Sequence, residues 1–328
     1  RELVEREHEV GVTTVREILR ERRRKRSEVF IPLVHRPGDE GQVDFFEVSV
    51  DIAGQRHKAW KFVMRLMHSG RDFVWVYDRC DQVAFLDGHV RAFTHFGAVP
   101  QRCIYDNLSA AVRKVMFPHR ELTARFRALA SHYLFEPCFA RPGQGHDKGG
   151  VEARGRGIRL QHLVPIPRAE SLREICEQVL GAVDRQATQQ RDRQGQTIRE
   201  RFAEEVSQML ALPDRPFEAR KMVPCTVSRS ARVKVDGAHY SVPSHLKGLE
   251  ANAWVGAEDV RIVCRGEGTT HKRKRFGEKS ICYRHYLPEL VRKPQALRQV
   301  APELLEELGE PYAELWRLLV DCHGPVSY

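Results

Sequence analysis

The chain has 328 residues, enough for two or three domains with hydrophobic cores of their own. With 41% hydrophobic and 30% charged residues, the composition is that of a globular protein rather than a disordered one. No apolar run approaches the ~18 residues needed to cross a bilayer, which excludes a membrane protein. The 54 Lys and Arg residues exceed the 44 Asp and Glu residues, and the resulting formal charge of +10 favours a polyanionic partner.

A short helix is predicted near the amino end, because Val15, Ile18 and Leu19 share one face of residues 13–21 and a threonine precedes them as a cap. It runs into a basic stretch, which either lies along DNA phosphates or is a solvated helix end. The stretch consists of Arg22, Arg23, Arg24, Lys25 and Arg26. The first residue is Arg1 and no signal-peptide pattern follows, so we expect a fragment of a longer protein.

The next part of the chain predicts a mixed five-stranded sheet with helices on both faces, in the order βββαβαβα. The predicted strands are 42–50, 58–67, 73–77, 102–105 and 133–138, and the predicted helices are 83–96, 108–115, 121–131 and 148–163. This order resembles that of ribonuclease-H-like α/β cores.

Helices and short strands are predicted beyond this core. Apolar spacing predicts helices over 172–189 and 197–212, then short strands over 226–235, 240–242, 250–255 and 260–264, then a helical tail from 287. The predicted organisation is an amino-terminal helix and basic linker (1–27), an α/β domain (28–164), a helical connector (165–222), a small β-barrel (223–286) and a helical tail (287–328). The eight cysteines lack metal-binding spacing, so we expect reduced thiols.

Three carboxylates carry the candidate chemistry. Asp44 interrupts an apolar strand, Asp106 ends a later strand, and Glu152 stands at the beginning of the last core helix. Singly, Asp44 fits an ion pair with an arginine, Asp106 a helix cap, and Glu152 a partner for the helix dipole. Together they fall on the first strand, the fourth strand and the last helix, where ribonuclease-H-like nucleases hold their metal ions.

Several motifs resemble the DDE transposases of IstA-type bacterial insertion sequences, and the resemblance spans nearly the whole chain. The motifs are Pro37–Phe45, Phe85–Phe93, Phe96–Pro100, Tyr105–Leu108, His132–Pro137, Lys148–Glu152 and Tyr240–Pro243. Residues 9–26 resemble the end of a helix-turn-helix whose earlier helices are missing. The interval from Asp106 to Glu152 is 46 residues, longer than in retroviral integrases. Asp147 also precedes Glu152, but we assign Asp147 to a helix cap.

The resemblance implies a function for the whole chain. Asp44, Asp106 and Glu152 would be catalytic and would hold two Mg²⁺ or Mn²⁺ ions. The implied partners are double-stranded DNA, further copies of the chain on paired transposon ends and a separate AAA+ ATPase. The implied location is the bacterial cytoplasm, associated with the nucleoid.

Further basic residues are candidate DNA contacts. Arg156 and Arg159 follow Glu152 by four and seven residues, hence on its helix face, and Lys148 lies just before it. A second basic run contains Lys272, Arg273 and Lys274. A solvated helix stripe and a plain charged loop are the alternatives.

We therefore predict a DNA transposase that performs metal-dependent 3′-end cleavage and strand transfer. The alternatives are a non-catalytic DNA-binding or scaffolding protein with the same fold and a simple metal-dependent nuclease. An intact set of three acids argues against the first, and the flanking DNA-binding helix and barrel argue against the second.

Overall fold

The computed structural model describes residues 12–25, 34–105, 112–115, 120–139, 165–192 and 194–323. The chain divides into two compact units, residues 1–35 and 36–328. In the first unit, helix α1 spans Val12–Lys25, so the predicted amino-terminal helix is confirmed and extends further into the basic run. Its assignment to a helix-turn-helix remains a prediction.

The second unit begins with a central sheet. Its strands are β1 (Glu40–Ile52), β2 (Gln55–Leu66), β3 (Asp72–Tyr77), β5 (Arg102–Tyr105) and β8 (Glu136–Phe139), and a short β4 (Ala98–Val99) lies between β3 and β5 in the chain. The spatial order is β3-β2-β1-β5-β8. The pairs β1–β2 and β2–β3 are antiparallel, whereas β5 is parallel to β1 and β8 is parallel to β5. The predicted mixed sheet is therefore confirmed, and a short sixth strand, described below, adds to it.

Helix α2 (Gln82–Phe96) packs on one face of this sheet. Asp81 caps its first turn by accepting a hydrogen bond from the backbone N–H of Ala84, and Gly97 ends it at φ 72°. At Gly88 the helix backbone approaches the Phe62 ring so closely that an added Cβ would lie 2.5 Å from Cδ2 of that ring. Glycine at this position lets the helix and sheet meet.

Two further helices follow, α3 (Ala124–Tyr133) and α4 (Leu172–Gln189). Helix α4 covers the free edge of the sheet, which is formed by β3. The thiol of buried Cys176 accepts a hydrogen bond from the Val76 N–H at 3.3 Å and donates one to the Val76 carbonyl at 3.2 Å. These are backbone groups of β3, the edge strand. The helix thereby satisfies polar groups that an open sheet edge would expose.

The prediction of a helix over 108–115 is wrong for its described part. Val112–Val115 is strand β6, which forms a hairpin with β7 (Arg120–Leu122). The next helix consequently begins only at Ala124, with the Thr123 hydroxyl as its cap. The spacing of Val112 and Val115 suits a helix face, but these β-branched residues also suit a strand, and pairing with β7 decides between them.

The second helix of the connector ends earlier than predicted. Helix α5 spans Ile198–Val206 rather than continuing to 212, because β10 (Leu210–Ala211) pairs with β4 in the core. A short strand β9 (Arg168–Ala169) adds to the end of β1. The connector is thus tied to the core at both ends.

The following residues form what we call the β-domain (221–280). Its strands are β11 (Lys221–Thr226), β12 (Arg232–Val235), β13 (Ala238–Ser241), β14 (Glu250–Val255), β15 (Asp259–Cys264), β16 (Glu267–Lys272) and β17 (Lys279–Ser280). They make a four-stranded and a three-stranded sheet around a shared apolar core, so closure into a barrel remains a prediction. The predicted strand 226–235 is wrong as a single element, since a turn at 228–231 separates β11 from β12.

The tail is helical, as predicted: a 3₁₀ turn (Tyr283–Tyr286) leads into α6 (Leu287–Leu290), α7 (Pro294–Leu308) and α8 (Glu310–His323). Within the described ranges, every helix is too short or too polar to cross a lipid bilayer.

Candidate active site and nucleic-acid interface

Asp44 lies on β1, the central strand of the sheet. It pairs with Val63 of β2 on one side. On the other side, Val43 pairs in parallel register with Tyr105, the last residue of β5, and Asp106 is the next residue in the chain. The Asp44 side chain is half-buried, and its Oδ1 accepts a hydrogen bond from the Phe45 N–H at 2.9 Å.

The alternation of β1 explains why this carboxylate points away from the main aromatic core. Val43 and Phe45 are buried, and the Phe45 ring contacts the rings of Phe62, Tyr77 and Phe85. Since successive side chains of a strand point to opposite faces, Asp44 lies on the other face. The sequence therefore sets the orientation of the carboxylate.

Lys61 shares the face of Asp44 and was missed by the sequence analysis. It lies opposite Phe46 in the β1–β2 register, is fully buried, and holds its Nζ 4.4 Å from the centre of the Phe46 ring. The face of the Phe46 ring thus contacts the buried ammonium group of Lys61. The available signal was a lysine within the apolar run of β2.

The end of β5 is anchored by a hydrogen-bond chain that sequence analysis also missed. The buried Tyr105 hydroxyl donates to Nε2 of His89 at 2.9 Å, and Nδ1 of His89 donates to the Phe85 carbonyl at 2.8 Å. Burial lowers the pKa of His89 to about 4, so the ring is neutral and one nitrogen accepts. These contacts fix the backbone immediately before Asp106.

Several predicted site residues lie outside the described part of the chain. They are Arg26, Asp106, Lys148, Glu152, Arg156 and Arg159. The structure thus places Asp44 beside the end of β5 and does not test the complete set of three acids. Among the residues described, no group of three or more side chains is arranged to bind a metal ion. A carboxylate beside the carboxyl end of a parallel strand is nevertheless a donor that suits Mg²⁺ or Mn²⁺.

The basic residues differ in what the structure reveals of them. Arg22, Arg23, Arg24 and Lys25 continue the backbone of α1. Lys272 is exposed at the end of β16, and Lys274 is half-buried. These positions leave their assignment to DNA as a prediction.

Arg273 requires a correction, because its side chain is only 6% exposed. Its guanidinium contacts the carboxylate of Asp81 at 2.8 Å and that of Asp236 at 3.2 Å, and it donates to the Gly256 carbonyl at 3.1 Å. Asp81 belongs to the core and Asp236 to the β-domain. Arg273 therefore connects these two regions and is not available to DNA phosphates.

Further contacts hold the β-domain and the residues that lead into it. Arg91 of α2 contacts Glu258 at 2.7 Å. On α3, Nε2 of His132 donates to the Arg215 carbonyl at 2.9 Å, and the Tyr133 hydroxyl accepts from the Phe217 N–H at 3.2 Å. The core and β-domain are thus linked by side chains from two core helices.

Comparison with known proteins gives a consistent set of relatives. Residues 212–279 match the family described as Mu transposase, C-terminal domain. The chain is 31% identical over 306 residues to a transposase of Aminobacter aminovorans, covering 90% of this chain and 59% of that protein. It is 30% identical over 264 residues to the transposase for insertion sequence element IS21 of Pseudomonas aeruginosa, covering 79% of this chain and 68% of that protein.

Among solved structures, the HTLV-2 integrase catalytic core domain in complex with magnesium is similar at a TM-score of 0.38 and 16% identity. The match covers 51% of this chain and 97% of that one.

Proposed function

The chain belongs to the transposases of IS21-type insertion sequences, and from this premise we propose that it is a DNA transposase that cleaves 3′ ends and transfers them to target DNA. One observation supports the proposal most strongly: Asp44 lies on the central strand, one residue beyond the pairing of Val43 with Tyr105. The chain spans 59% of the length of the Aminobacter relative, so the activity of the whole protein is part of this proposal.

We assign the acid set to Asp44, Asp106 and Glu152. Asp106 follows directly after Tyr105 in the chain, and Tyr105 pairs with Val43, the residue before Asp44. Glu152 completes the set on the basis of the motif that it shares with the family.

The three carboxylates would hold two Mg²⁺ or Mn²⁺ ions, which supply Lewis-acid stabilisation of the attacking and leaving oxygens in phosphodiester chemistry. The role of the chain is to fix these ligands. Asp44 is held by the central strand, and the Tyr105–His89 hydrogen bond holds the backbone before Asp106. No protein side chain is needed as a nucleophile, because water releases the 3′-hydroxyl and that hydroxyl then attacks target DNA.

The proposed partners are duplex DNA, further copies of the chain on paired ends, and an AAA+ ATPase that supplies target DNA. The proposed location is the bacterial cytoplasm at the nucleoid. The proposed phosphate contacts exclude the buried Arg273 and comprise Arg22, Arg23, Arg24, Lys25, Arg26, Lys148, Arg156, Arg159, Lys272 and Lys274.

Isosteric substitution tests the acid set. We expect Asp44→Asn, Asp106→Asn and Glu152→Gln each to reduce cleavage of a transposon-end duplex to background with Mg²⁺ present, because each removes a charged ligand and keeps its volume. Duplex affinity should stay within about twofold, since the phosphate contacts that dominate affinity lie elsewhere.

Glu47→Gln is the matched control. Glu47 lies on the same strand as Asp44, but it is exposed and paired with Lys58. The Glu47→Gln variant should cleave the transposon-end duplex like the unmodified chain. Near-normal cleavage by any of the three test variants would remove that residue from the set.

A further inference from the structure

Phe276 is a large apolar side chain that the fold leaves 83% exposed. It lies in the turn between β16 and β17. Residues of this type are ordinarily buried, and single exposed examples need no explanation by themselves. The structure around Phe276, described next, indicates that its exposure serves a contact with a partner.

The turn that carries Phe276 is closed by its own hydrogen bonds. The Glu278 N–H donates to the Arg275 carbonyl at 3.1 Å, and the Glu278 carboxylate accepts from the Arg275 N–H at 2.9 Å. Gly277 supplies the positive φ of 84° that the turn requires. Phe276 therefore stands at the apex of a defined turn rather than in a loose loop.

The turn is also fixed to the rest of the β-domain. The Gly277 N–H donates to the Gly237 carbonyl at 3.1 Å. The Phe276 ring lies so close to Gly237 that a Cβ there would be 2.1 Å from Cδ2 of the ring. The ring rests against backbone while most of its surface faces outward.

The base of the turn is anchored to the core as well. Arg273 is held by Asp81, and the Lys274 carbonyl accepts from the Arg79 guanidinium at 3.4 Å. The Lys274 N–H donates to the Tyr240 hydroxyl at 2.9 Å. Little conformational freedom remains to be lost when the apex binds a partner.

Basic residues flank Phe276 in the chain. Within the described part of the chain, none of the neighbouring basic side chains forms an ion pair; these are Lys272, Lys274, Arg275 and Lys279. Glu278 is the one acid of the segment, and its carboxylate is bound to the turn. A polyanion with apolar faces matches both features, because it offers negative charge to the cations and an apolar contact to the ring.

We propose that Phe276 is a wedge that inserts at a base step of bound duplex DNA, while Lys274 and Arg275 contact the adjoining phosphates. Apolar side chains inserted between base steps unstack them and bend the duplex, and flanking cations offset the phosphate charge. This inference rests on the proposed function and adds a base-contacting residue to it.

Affinity measurements separate the wedge from the cations. We expect Phe276→Ala to weaken binding of the full chain to a transposon-end duplex about 5- to 100-fold, the range for one aromatic–base contact, without changing the salt dependence. Phe276→Trp should restore the affinity. Replacing Lys274 and Arg275 together by Ala should instead reduce the slope of log K against log salt by about 1.8.

Base unstacking gives the direct readout. A set of short duplexes, each with one 2-aminopurine, should show increased fluorescence at one step with the unmodified chain and with Asp44→Asn, but not with Phe276→Ala. Val291→Ala, which alters a 78% exposed apolar residue of the tail, is the control and should behave as unmodified. Unchanged affinity and fluorescence for Phe276→Ala would overturn the proposed wedge. If Phe276→Ala binds DNA normally but has an altered sedimentation coefficient, Phe276 lies at a protein interface, and the wedge is overturned as well. Absence of all DNA binding by the unmodified chain would instead contradict the proposed function.

Discussion

His89 is a fully buried histidine on α2 with both ring nitrogens hydrogen-bonded. Its position one turn after Phe85 on an apolar helix face hints at burial, but the partner Tyr105 is sixteen residues away in the chain. The contact that positions the end of β5 therefore depends on tertiary structure. Sequence patterns predicted Asp44 as a site residue, but they did not indicate the contacts that hold the strand ends beside it.

The lowered pKa of His89 predicts that acid destabilises the fold. The folded-state pKa is about 4, below the ordinary value of 6.5, so the unfolded chain binds the extra proton first and stability falls as pH drops below about 6.5. Between pH 7 and pH 5 the loss from this residue is about 2 kcal/mol. Urea unfolding at the two pH values measures it.

His89→Gln supplies the reference for that experiment, because glutamine keeps a polar side chain and does not titrate. The variant should lose less stability than the unmodified chain over the same interval, by about 2 kcal/mol. The remaining titrating groups are common to both proteins and cancel in the difference. Equal losses would show that His89 does not titrate as a buried neutral group.

At the scale of elements, strands with clear alternation and helices with clear caps were predictable. The structure confirms 172–189 as a helix and 102–105 as a strand with the predicted bounds. The errors occur where the secondary structure of a segment depends on pairing with residues elsewhere in the chain. Val112–Val115 becomes a strand through its hairpin partner, and α5 ends early because Leu210–Ala211 pairs with β4. The spacing of apolar residues in the sequence does not reveal these pairing partners.

The surroundings of two helical glycines, Gly88 on α2 and Gly181 on α4, predict opposite effects of alanine substitution. Gly88→Ala should destabilise the fold by about 1–2 kcal/mol, because overpacking against the buried Phe62 ring exceeds the gain in helix propensity. Gly181→Ala on α4 should stabilise it by about 0.5–1 kcal/mol, since its nearest neighbour is the flexible end of Arg185 at 3.4 Å. Thermal unfolding of both variants checks the pair, and a stabilising Gly88→Ala would refute the close approach.

At the scale of the whole molecule, composition indicated a polyanionic partner, but the structure divides the basic residues by role. Arg273 joins the core to the β-domain, while its neighbours Lys272 and Lys274 have no ion pair among the residues described. A run of consecutive cations in a sequence does not reveal which side chain turns inward. Arg273 turns inward because it pairs with the partly exposed acids Asp81 and Asp236, which come close to it only in the folded chain.

Removing the Arg273 charge should loosen the β-domain from the core. We expect Arg273→Met to cost about 1–3 kcal/mol, because Asp81 and Asp236 lose their shared partner but keep some solvent. Hydrogen exchange should accelerate at the start of α2 and in the turn 273–279. Lys272→Met, at the exposed adjacent position, should leave exchange unchanged. Equal exchange in the two variants would mean that Arg273 does not join the two regions.

The most direct test of the proposed transposase is a strand-transfer assay with the full chain, pre-cleaved transposon ends and Mg²⁺. The account predicts covalent joining of the 3′-hydroxyl to target DNA, lost with Asp44→Asn and retained with Glu47→Gln. Hydrolysis of DNA without joining, under conditions where the ends are bound, would contradict it and indicate a simple nuclease; binding without either reaction would indicate a scaffold.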